Sequence, residues 1–464
     1  MITHINASGF KSLSQFSLDF TPGLNILVGP NGSGKTNIVS LFEFLAYLIE
    51  TDASEATSKA GGAGAVFRRI GRTYDKSIDI EIFGCAPLPE DRSPQRSKKT
   101  SVPKLFVSYQ YSFSLCFPES RDSVVFKEQR LRMRRTKEFS LEWKTHTAPS
   151  EWNLDVHVEL GSDGIQKSKI SRFDERFVKR YFYLPDSDAK PSDVIQKLEN
   201  FINKTLAENV SLVSAINRFG PDLWVISSDI AGGEIYNVVP SKIKLAEDSA
   251  KPPGIARDGS GLAATLYALQ RSRNPQERDE WFYLTASHRR QREFPPNALD
   301  QLKDYLKLVN ESISGVFVEN DPFDNQLRVR FEMKSGDYEA SVPLSLMSDG
   351  TLKWLALVTA ALTTRSVFSI EEPENYLHPE MQAQIVNILR EILFRQKNYK
   401  FTLMTTHSET LLNRCKPEEL IIVSFAKGFT EARRCANAAE IHEEIKRTGF
   451  GLGYYYINHA LQDQ

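Results

Sequence analysis

The sequence predicts an α/β fold with a mixed N-terminal β lobe, a parallel-sheet core and a compact helical insertion. Three observations predict it. Short strand-like runs occupy residues 2–143, helical periodicity sets in near Pro191, and the last third alternates helices with short apolar strands. That final alternation is the pattern of a largely parallel sheet joined by crossover helices.

The chain of 464 residues has room for two or three ordinary domains, and 41% hydrophobic with 25% charged residues is the balance of a globular protein. No apolar run reaches the roughly 18–20 residues that a membrane-spanning helix needs, and no basic segment with an apolar cleavage region opens the chain. A cytoplasmic protein is expected, without membrane contact. Lys and Arg number 58 against 59 Asp and Glu, a formal charge of −1, which excludes the global basicity of a dedicated DNA-packaging protein. Any nucleic-acid contact must then come from a local patch. Cys85, Cys116, Cys415 and Cys435 fall at unrelated spacings, so neither a disulfide framework nor a zinc knuckle is indicated.

Each element follows from local pattern. Residues 2–20 form two alternating runs around the turn-like Lys11-Ser12-Leu13-Ser14, which predicts a β-hairpin. Residues 24–28 are a third strand, which leads into a Gly-rich loop and a helix from Lys35. Small residues dominate 54–64, and 87–103 is rich in Pro, Ser and charge, so both are expected to be exposed loops. Strands are expected at 78–82, at 105–113, where Ser108, Gln110 and Ser112 keep a polar residue at every second position, and at 124–126. From Pro191, apolar Val194, Leu198, Phe201, Ile202, Leu206 and Val210 recur mostly at helical steps, and further helices are expected over 261–271 and 298–311. These helices are too short, and lack the sustained heptads, for a coiled-coil arm. Beyond them come a helix from Thr351, a strand at 367–370, a helix from Pro379, and strands at 401–404 and 420–423. The expected division is 1–185, 186–310 and 311–464.

Gly29-Pro30-Asn31-Gly32-Ser33-Gly34-Lys35-Thr36 fits the G-x-x-x-x-G-K-[ST] phosphate loop, placed between an apolar strand and a helix as the chemistry demands. Glycines let backbone N–H groups turn toward the β-phosphate, and the helix N-terminus adds partial positive charge. Lys35 is suited to the β- and γ-phosphates and Thr36 to Mg²⁺; Asn37 completes the candidate set. A chance Gly-rich turn is the bland alternative, but strand, loop and helix agree.

Ser366-Val367-Phe368-Ser369-Ile370-Glu371-Glu372-Pro373 is an apolar strand ending in paired acids. Alone it is equally a solvated acidic strand end. Its neighbours decide: Glu372-Pro373-Glu374-Asn375-Tyr376-Leu377-His378-Pro379 resembles the Glu-Pro-Glu-x-x-Leu-His-Pro stretch of ABC-class ATPases of the RecF, OLD-nuclease and SMC kind. The resemblance implies an ABC-type ATPase head in which Glu371 holds the magnesium shell and Glu372 orients and deprotonates the attacking water. Glu371 stands where the family usually has Asp, which lengthens its reach by one methylene.

Other stretches extend the resemblance. Leu344-Ser345-Leu346-Met347-Ser348-Asp349-Gly350-Thr351 is similar to the family's signature segment, with Asp349 replacing its first glycine. It implies that Ser348 and the N–H groups near Gly350 form a second anion site, meeting a γ-phosphate held by another subunit. Phe401-Thr402-Leu403-Met404-Thr405-Thr406-His407-Ser408 resembles the strand that delivers a switch histidine, His407, to the γ-phosphate. Asp258-Gly259-Ser260-Gly261-Leu262 resembles the entry to a helical lid. The resemblance covers residues 1–50 and 255–464 and is weak between 65 and 250. A glutamine loop is not placed by it, and Gln110 is the one candidate.

Two basic clusters remain, Arg130-Leu131-Arg132-Met133-Arg134-Arg135 with Lys137, and His288-Arg289-Arg290-Gln291-Arg292. Alternation in the first suggests one charged strand face, which suits either a phosphate backbone or a solvated, partner-facing surface. No acid cluster of the topoisomerase-primase nuclease kind follows the ATPase motifs. The expectation is therefore an ATPase using ATP and Mg²⁺, assembled as a homo-oligomer through ATP-bridged interfaces. It resembles the stand-alone ATPases of bacterial anti-phage systems such as PARIS and Septu. That resemblance implies a separate effector, a nuclease, and a phage-encoded trigger. A RecF-like DNA-binding repair ATPase is the alternative.

Overall fold

A computed structural model describes residues 1–88, 105–118, 123–142, 152–161, 166–174, 191–272, 297–364, 367–395 and 399–458. The chain divides into two compact units, each built from several stretches of sequence. One comprises Met1–Gly233, Tyr399–Phe401 and Ile421–Arg434; the other comprises Glu234–Asn398, Thr402–Leu420 and Cys435–Gln464.

In the first unit the predicted hairpin forms from β1 (Ile2–Ser8) and β2 (Phe16–Asp19), followed by β3 (Gly23–Val28). A small hairpin of β4 (Arg69–Ile70) and β5 (Thr73–Tyr74) precedes the long strands β6 (Ser77–Pro87), β7 (Phe106–Cys116) and β8 (Val125–Thr136). β9 (Leu154–Leu160) and β10 (Gln166–Phe173) complete a seven-stranded sheet of order β10-β9-β8-β7-β6-β1-β2. On β7 the buried residues Tyr109, Tyr111, Phe113 and Leu115 alternate with half-buried Ser108, Gln110, Ser112 and Ser114. The period-two pattern read from the sequence is therefore one buried and one polar sheet face.

Helix α1 (Lys35–Glu50) follows β3 and carries Phe42 into an aromatic cluster. The Phe42 ring lies 5.3 Å from Phe20 and 5.8 Å from Phe401, and Phe20 stacks on Phe401 at 4.9 Å. The expected loop over 54–64 is instead mostly helical. Asp52 caps α2 (Ala53–Lys59), its carboxylate accepting from the N–H groups of Ser54 at 2.8 Å and Glu55 at 2.9 Å. Ala53, Ala56 and Thr57 are buried while Ser58, Gly61, Gly64 and Ala65 are exposed, and a further short helix spans Ala63–Val66. Helix α3 (Pro191–Thr205) forms as its periodicity predicts.

The second unit holds the parallel core. β11 (Glu234–Tyr236) pairs in parallel with β16 (Phe368–Glu371), and β16 with β17 (Phe401–Thr405). Every residue of β16 and β17 is buried, as expected of a parallel sheet covered on both faces. A second sheet, made of β12 (Glu247–Asp248), β13 (Ile313–Asp321), β14 (Gln326–Ser335) and β15 (Tyr338–Pro343), is antiparallel. Helices α4 (Leu262–Arg271), α5 (Ala298–Lys307), α6 (Asp349–Thr363) and α7 (Pro379–Arg395) stand near their expected positions, with α5 ending four residues early so that β13 can begin. The hairpin of β18 (Leu420–Ala426) and β19 (Phe429–Arg434) returns to the first unit, where β18 lies beside β3. The α/β class and the parallel core expected from the sequence are borne out. All four cysteines are free thiols, and no helix among the described residues is long and apolar enough to cross a membrane.

Candidate active site

The phosphate loop lies wholly in the first unit, between β3 and α1. Gly32 and Gly34 sit at φ 78 and 100, a left-handed region where a side chain is strained. Gly29 and Gly34 are also sterically enforced. A Cβ on Gly29 would overlap the Val423 carbonyl oxygen, and one on Gly34 would overlap the Thr430 side chain. The β18–β19 hairpin therefore forms the back wall of the loop.

That wall is bonded as well as packed. The buried Thr430 hydroxyl donates to the Ser33 carbonyl at 3.0 Å and lies 2.6 Å from the Ser12 hydroxyl, which accepts from Asn37 Nδ2 at 2.6 Å. Asn37, a candidate nucleotide contact by sequence, spends its amide on this anchor. Pro30, Asn31 and Gly32 are exposed, and so is Thr36.

The loop fits a phosphate group. Helix α1 has no side-chain cap and no acid in its first turn, so the positive end of its dipole is uncompensated by side chains there. Lys35 is buried, and its ammonium donates to the carbonyls of Gly29 at 2.8 Å and Pro30 at 3.0 Å, folded back into the loop. The Ser33 hydroxyl is buried without a hydrogen-bond partner among the described residues. A donor left unsatisfied in this way is unfavourable unless a ligand takes it up.

The other three motifs lie in the second unit. Glu371 ends β16, 6% exposed, and its Oε2 is 2.5 Å from Nη2 of Arg257, a residue that sequence reasoning did not single out. Glu372 follows at φ 44, a left-handed conformation rarely adopted by a residue other than glycine. Its N–H donates to the Thr405 carbonyl at 3.1 Å, and its Oε2 accepts from Asn375 Nδ2 at 3.0 Å. The paired acids are thus addressed by different partners, one cationic and one neutral.

Ser348 caps α6, its hydroxyl accepting from Thr351 N–H at 3.2 Å. Gly350 is small for a reason, since a Cβ there would lie 2.9 Å from the Tyr376 carbonyl oxygen. Asp349 pairs with Lys244 at 2.7 Å on the surface. Lys353 on the same helix is buried and donates to the Glu372 carbonyl at 3.1 Å. Burial lowers its pKa to about 8, against the opposing pull of Glu374 and Glu372.

His407 is exposed just beyond β17. Its N–H donates to Glu374 Oε1 at 2.8 Å, as does the Thr406 hydroxyl at 3.0 Å. The second acid of the Glu-Pro-Glu stretch therefore holds the backbone of the histidine turn. Ser408 adds a bond to Gln382 at 2.6 Å. The roles of Lys353, Arg257 and Thr430 have no local sequence sign, because each acts across a long stretch of chain.

The remaining candidates separate. Gln110 lies in the middle of β7, its amide donating to Glu81 at 2.6 Å, so it belongs to a sheet face and not to a loop. In the first basic cluster the alternation is real, but the arginines are engaged. Arg130 makes two bonds to Asp155, at 3.0 and 2.8 Å, and Arg132 approaches the same carboxylate at 3.4 Å. Burial opposes ionisation of Asp155, yet these arginines hold its pKa below the usual carboxylate value. Arg135 turns to the opposite face and forms a bidentate pair with buried Asp222 at 2.6 Å. The cluster at 288–292 lies outside the described residues.

Two family models match the chain. One, described as "AAA domain", covers residues 4–219, and the other, described as "AAA domain, putative AbiEii toxin, Type IV TA system", covers residues 240–413. Among curated proteins, the "DNA replication and repair protein RecF" of Rhodococcus erythropolis is 32% identical over 78 residues, 16% of this chain and 19% of that protein. The RecF of Streptomyces avermitilis is 40% identical over 85 residues, 18% of this chain and 22% of its own. The chain thus matches less than a quarter of the length of these relatives. Both family models are described as AAA domains, and the stretches shared with the RecF proteins are short. Among solved structures, an Smc head bound to the C-winged helix domain of ScpA is 12% identical with a TM-score of 0.45, over 93% of this chain and 97% of that one.

Proposed function

We propose that this chain is an ATP-binding and ATP-hydrolysing molecular switch. The observation that carries the reading is the phosphate loop: a buried lysine, a buried serine hydroxyl with no partner among the described residues and an uncapped helix N-terminus, all converging on one Gly-rich turn. In this reading residues 29–37 bind the nucleotide, and Lys35 exchanges its two carbonyl partners for the β- and γ-phosphates. Thr36 and Glu371 each offer an oxygen donor to Mg²⁺, a set suited to a hard cation that supplies charge neutralisation when bound. Glu372 is the general base, held at its backbone and by Asn375, and His407 senses the γ-phosphate.

Ser348 and Gly350 serve a nucleotide held by a second copy, so that ATP joins subunits and hydrolysis parts them. The switch controls a separate effector, a nuclease, in anti-phage defence, set off by a phage-encoded trigger. The family description naming an AbiEii toxin of a toxin–antitoxin system supports a two-component arrangement. In the same reading residues 1–185 and 311–464 are the two lobes of the ATPase head, and 186–310 the helical insertion between them.

The deciding variant is Glu372→Gln, which keeps size but removes the base. Turnover is expected to fall by roughly 10²- to 10⁴-fold while ATP binding survives, and the stalled protein should accumulate as an ATP-joined oligomer in sedimentation. A monomer at saturating ATP with full turnover would overturn the reading. Co-purification of a neighbouring nuclease is the corresponding test of the effector.

The second reading, a RecF-like DNA-binding ATPase, is favoured by the names of the curated relatives. Against it, Arg130 and Arg132 already neutralise Asp155, and Arg135 is committed to Asp222. Steeply salt-dependent binding of duplex DNA by the purified chain would favour it.

A further inference from the structure

The loop that carries Glu372 meets the first turns of α6 at two points. Gly350 lies against the Tyr376 carbonyl so closely that no side chain fits, and three residues on, Lys353 reaches the Glu372 carbonyl at 3.1 Å. The Lys353 ammonium also lies 5.6 Å from the centre of the Tyr376 ring, within range of a cation–π contact. Lys353 is 1% exposed, flanked by fully buried Leu352, Trp354 and Leu355. A buried charge at such a position is unfavourable, and a methionine of similar length would fill the space without desolvation.

The segment it contacts is itself strained. Glu372 is held at φ 44 and Tyr376 at φ 68. Residues persist in this region only when their surroundings fix them. The Glu372 carbonyl accepts from Asn375 N–H at 3.2 Å within its own turn, and from Lys353 across 19 residues. Lys353 is the charged donor among these contacts.

We infer that Lys353 is a positioning residue for Glu372, tying the helix that begins at Ser348 to the backbone of the catalytic base. The inference rests on the ATPase reading above. The ammonium fixes the left-handed backbone, and the backbone in turn aims the carboxylate that Asn375 orients. A shift of the first turns of α6, such as engagement of Ser348 and Gly350 by a second subunit's nucleotide, is then transmitted to the base through one side chain.

Full-length Lys353→Met and Lys353→Arg would be compared with wild type for ATP affinity, turnover number and melting temperature. Lys353→Met should lose at least about tenfold in kcat, with ATP Kd within about twofold and a melting temperature equal to or above wild type. Lys353→Arg, which keeps a donor, should recover most of the lost rate. Unchanged turnover in Lys353→Met overturns the inference. So does a loss of rate that Lys353→Arg fails to restore, or one that tracks a fall in melting temperature. If Lys353→Met does not fold, full activity in a folded Lys353→Gln overturns it, whereas a slowed Lys353→Gln with intact ATP affinity supports it. Wild type without ATP turnover, or Glu372→Gln with normal turnover, removes the ATPase reading itself and this inference with it. Active wild type, inactive Glu372→Gln and unimpaired Lys353→Met remove the inference alone.

Discussion

The phosphate loop and the acid turn are both short connections after buried strands, but they keep their shapes by different means. The loop is shaped by what it lacks. Glycines at 29 and 34 admit the Val423 carbonyl and Thr430, and most of its polar contacts are backbone groups. The acid turn is shaped by added side chains: Arg257 on Glu371, Asn375 on Glu372 and Lys353 on the Glu372 carbonyl. The first arrangement fails when volume is added, the second when a donor is removed. A backbone cradle presents the same N–H groups with or without ligand, which suits binding. Side-chain tethers can exchange partners, which suits a step that must be gated.

The sharpest way to break this comparison is Lys35→Ala. Lys35 is the one long side chain on which the backbone cradle depends, so its loss should abolish measurable ATP binding by calorimetry or a fluorescent analogue. The melting temperature should hold, because the ammonium's bonds to the Gly29 and Pro30 carbonyls lie within the loop itself. Normal affinity in a folded variant would remove the loop from the site. A smaller effect is expected for Thr430→Val, which keeps volume but deletes the hydroxyl joining Ser33 to Ser12. With about 1 to 1.5 kcal/mol at stake for such a bond, ATP Kd should rise by roughly 5- to 10-fold, and Thr430→Ser should restore it. An unchanged Kd would show that packing alone shapes the loop. The smallest effect belongs to Arg257→Ala. The pair it removes is half exposed on the arginine side, worth about 0.2–1 kcal/mol, so releasing Glu371 should lower the magnesium concentration for half-maximal turnover by no more than about fivefold. A raised magnesium requirement would instead make Arg257 a support for that carboxylate rather than a competitor.

The same contrast governs what the sequence made legible. Strand, glycines, lysine and helix are contiguous from 23 to 50, so spacing alone located the phosphate loop. The paired acids and the histidine each follow an apolar strand, β16 or β17, but that pattern alone was ambiguous, and the resemblance of the adjoining stretches to ABC-class ATPases singled them out. Their holders were not, since Lys353 lies 19 residues before Glu372 and Arg257 lies 114 before Glu371. Helix α2 was missed because small residues between 54 and 64 suggested a loop, although Asp52 stood at the cap position. The basic strand was read correctly as alternating, but no local pattern announced Asp155 or Asp222 as partners.

The hairpin behind the phosphate loop has a consequence for how the protein is made. The first unit takes in Met1–Gly233 and then, late in the chain, Ile421–Arg434. A ribosome adding roughly 5–20 residues per second needs about 10 to 40 seconds to traverse the intervening stretch. Throughout that interval β3 has emerged without β18 beside it, and Gly34 faces the space that Thr430 will fill. The phosphate loop therefore leaves the tunnel well before the hairpin that completes its back wall.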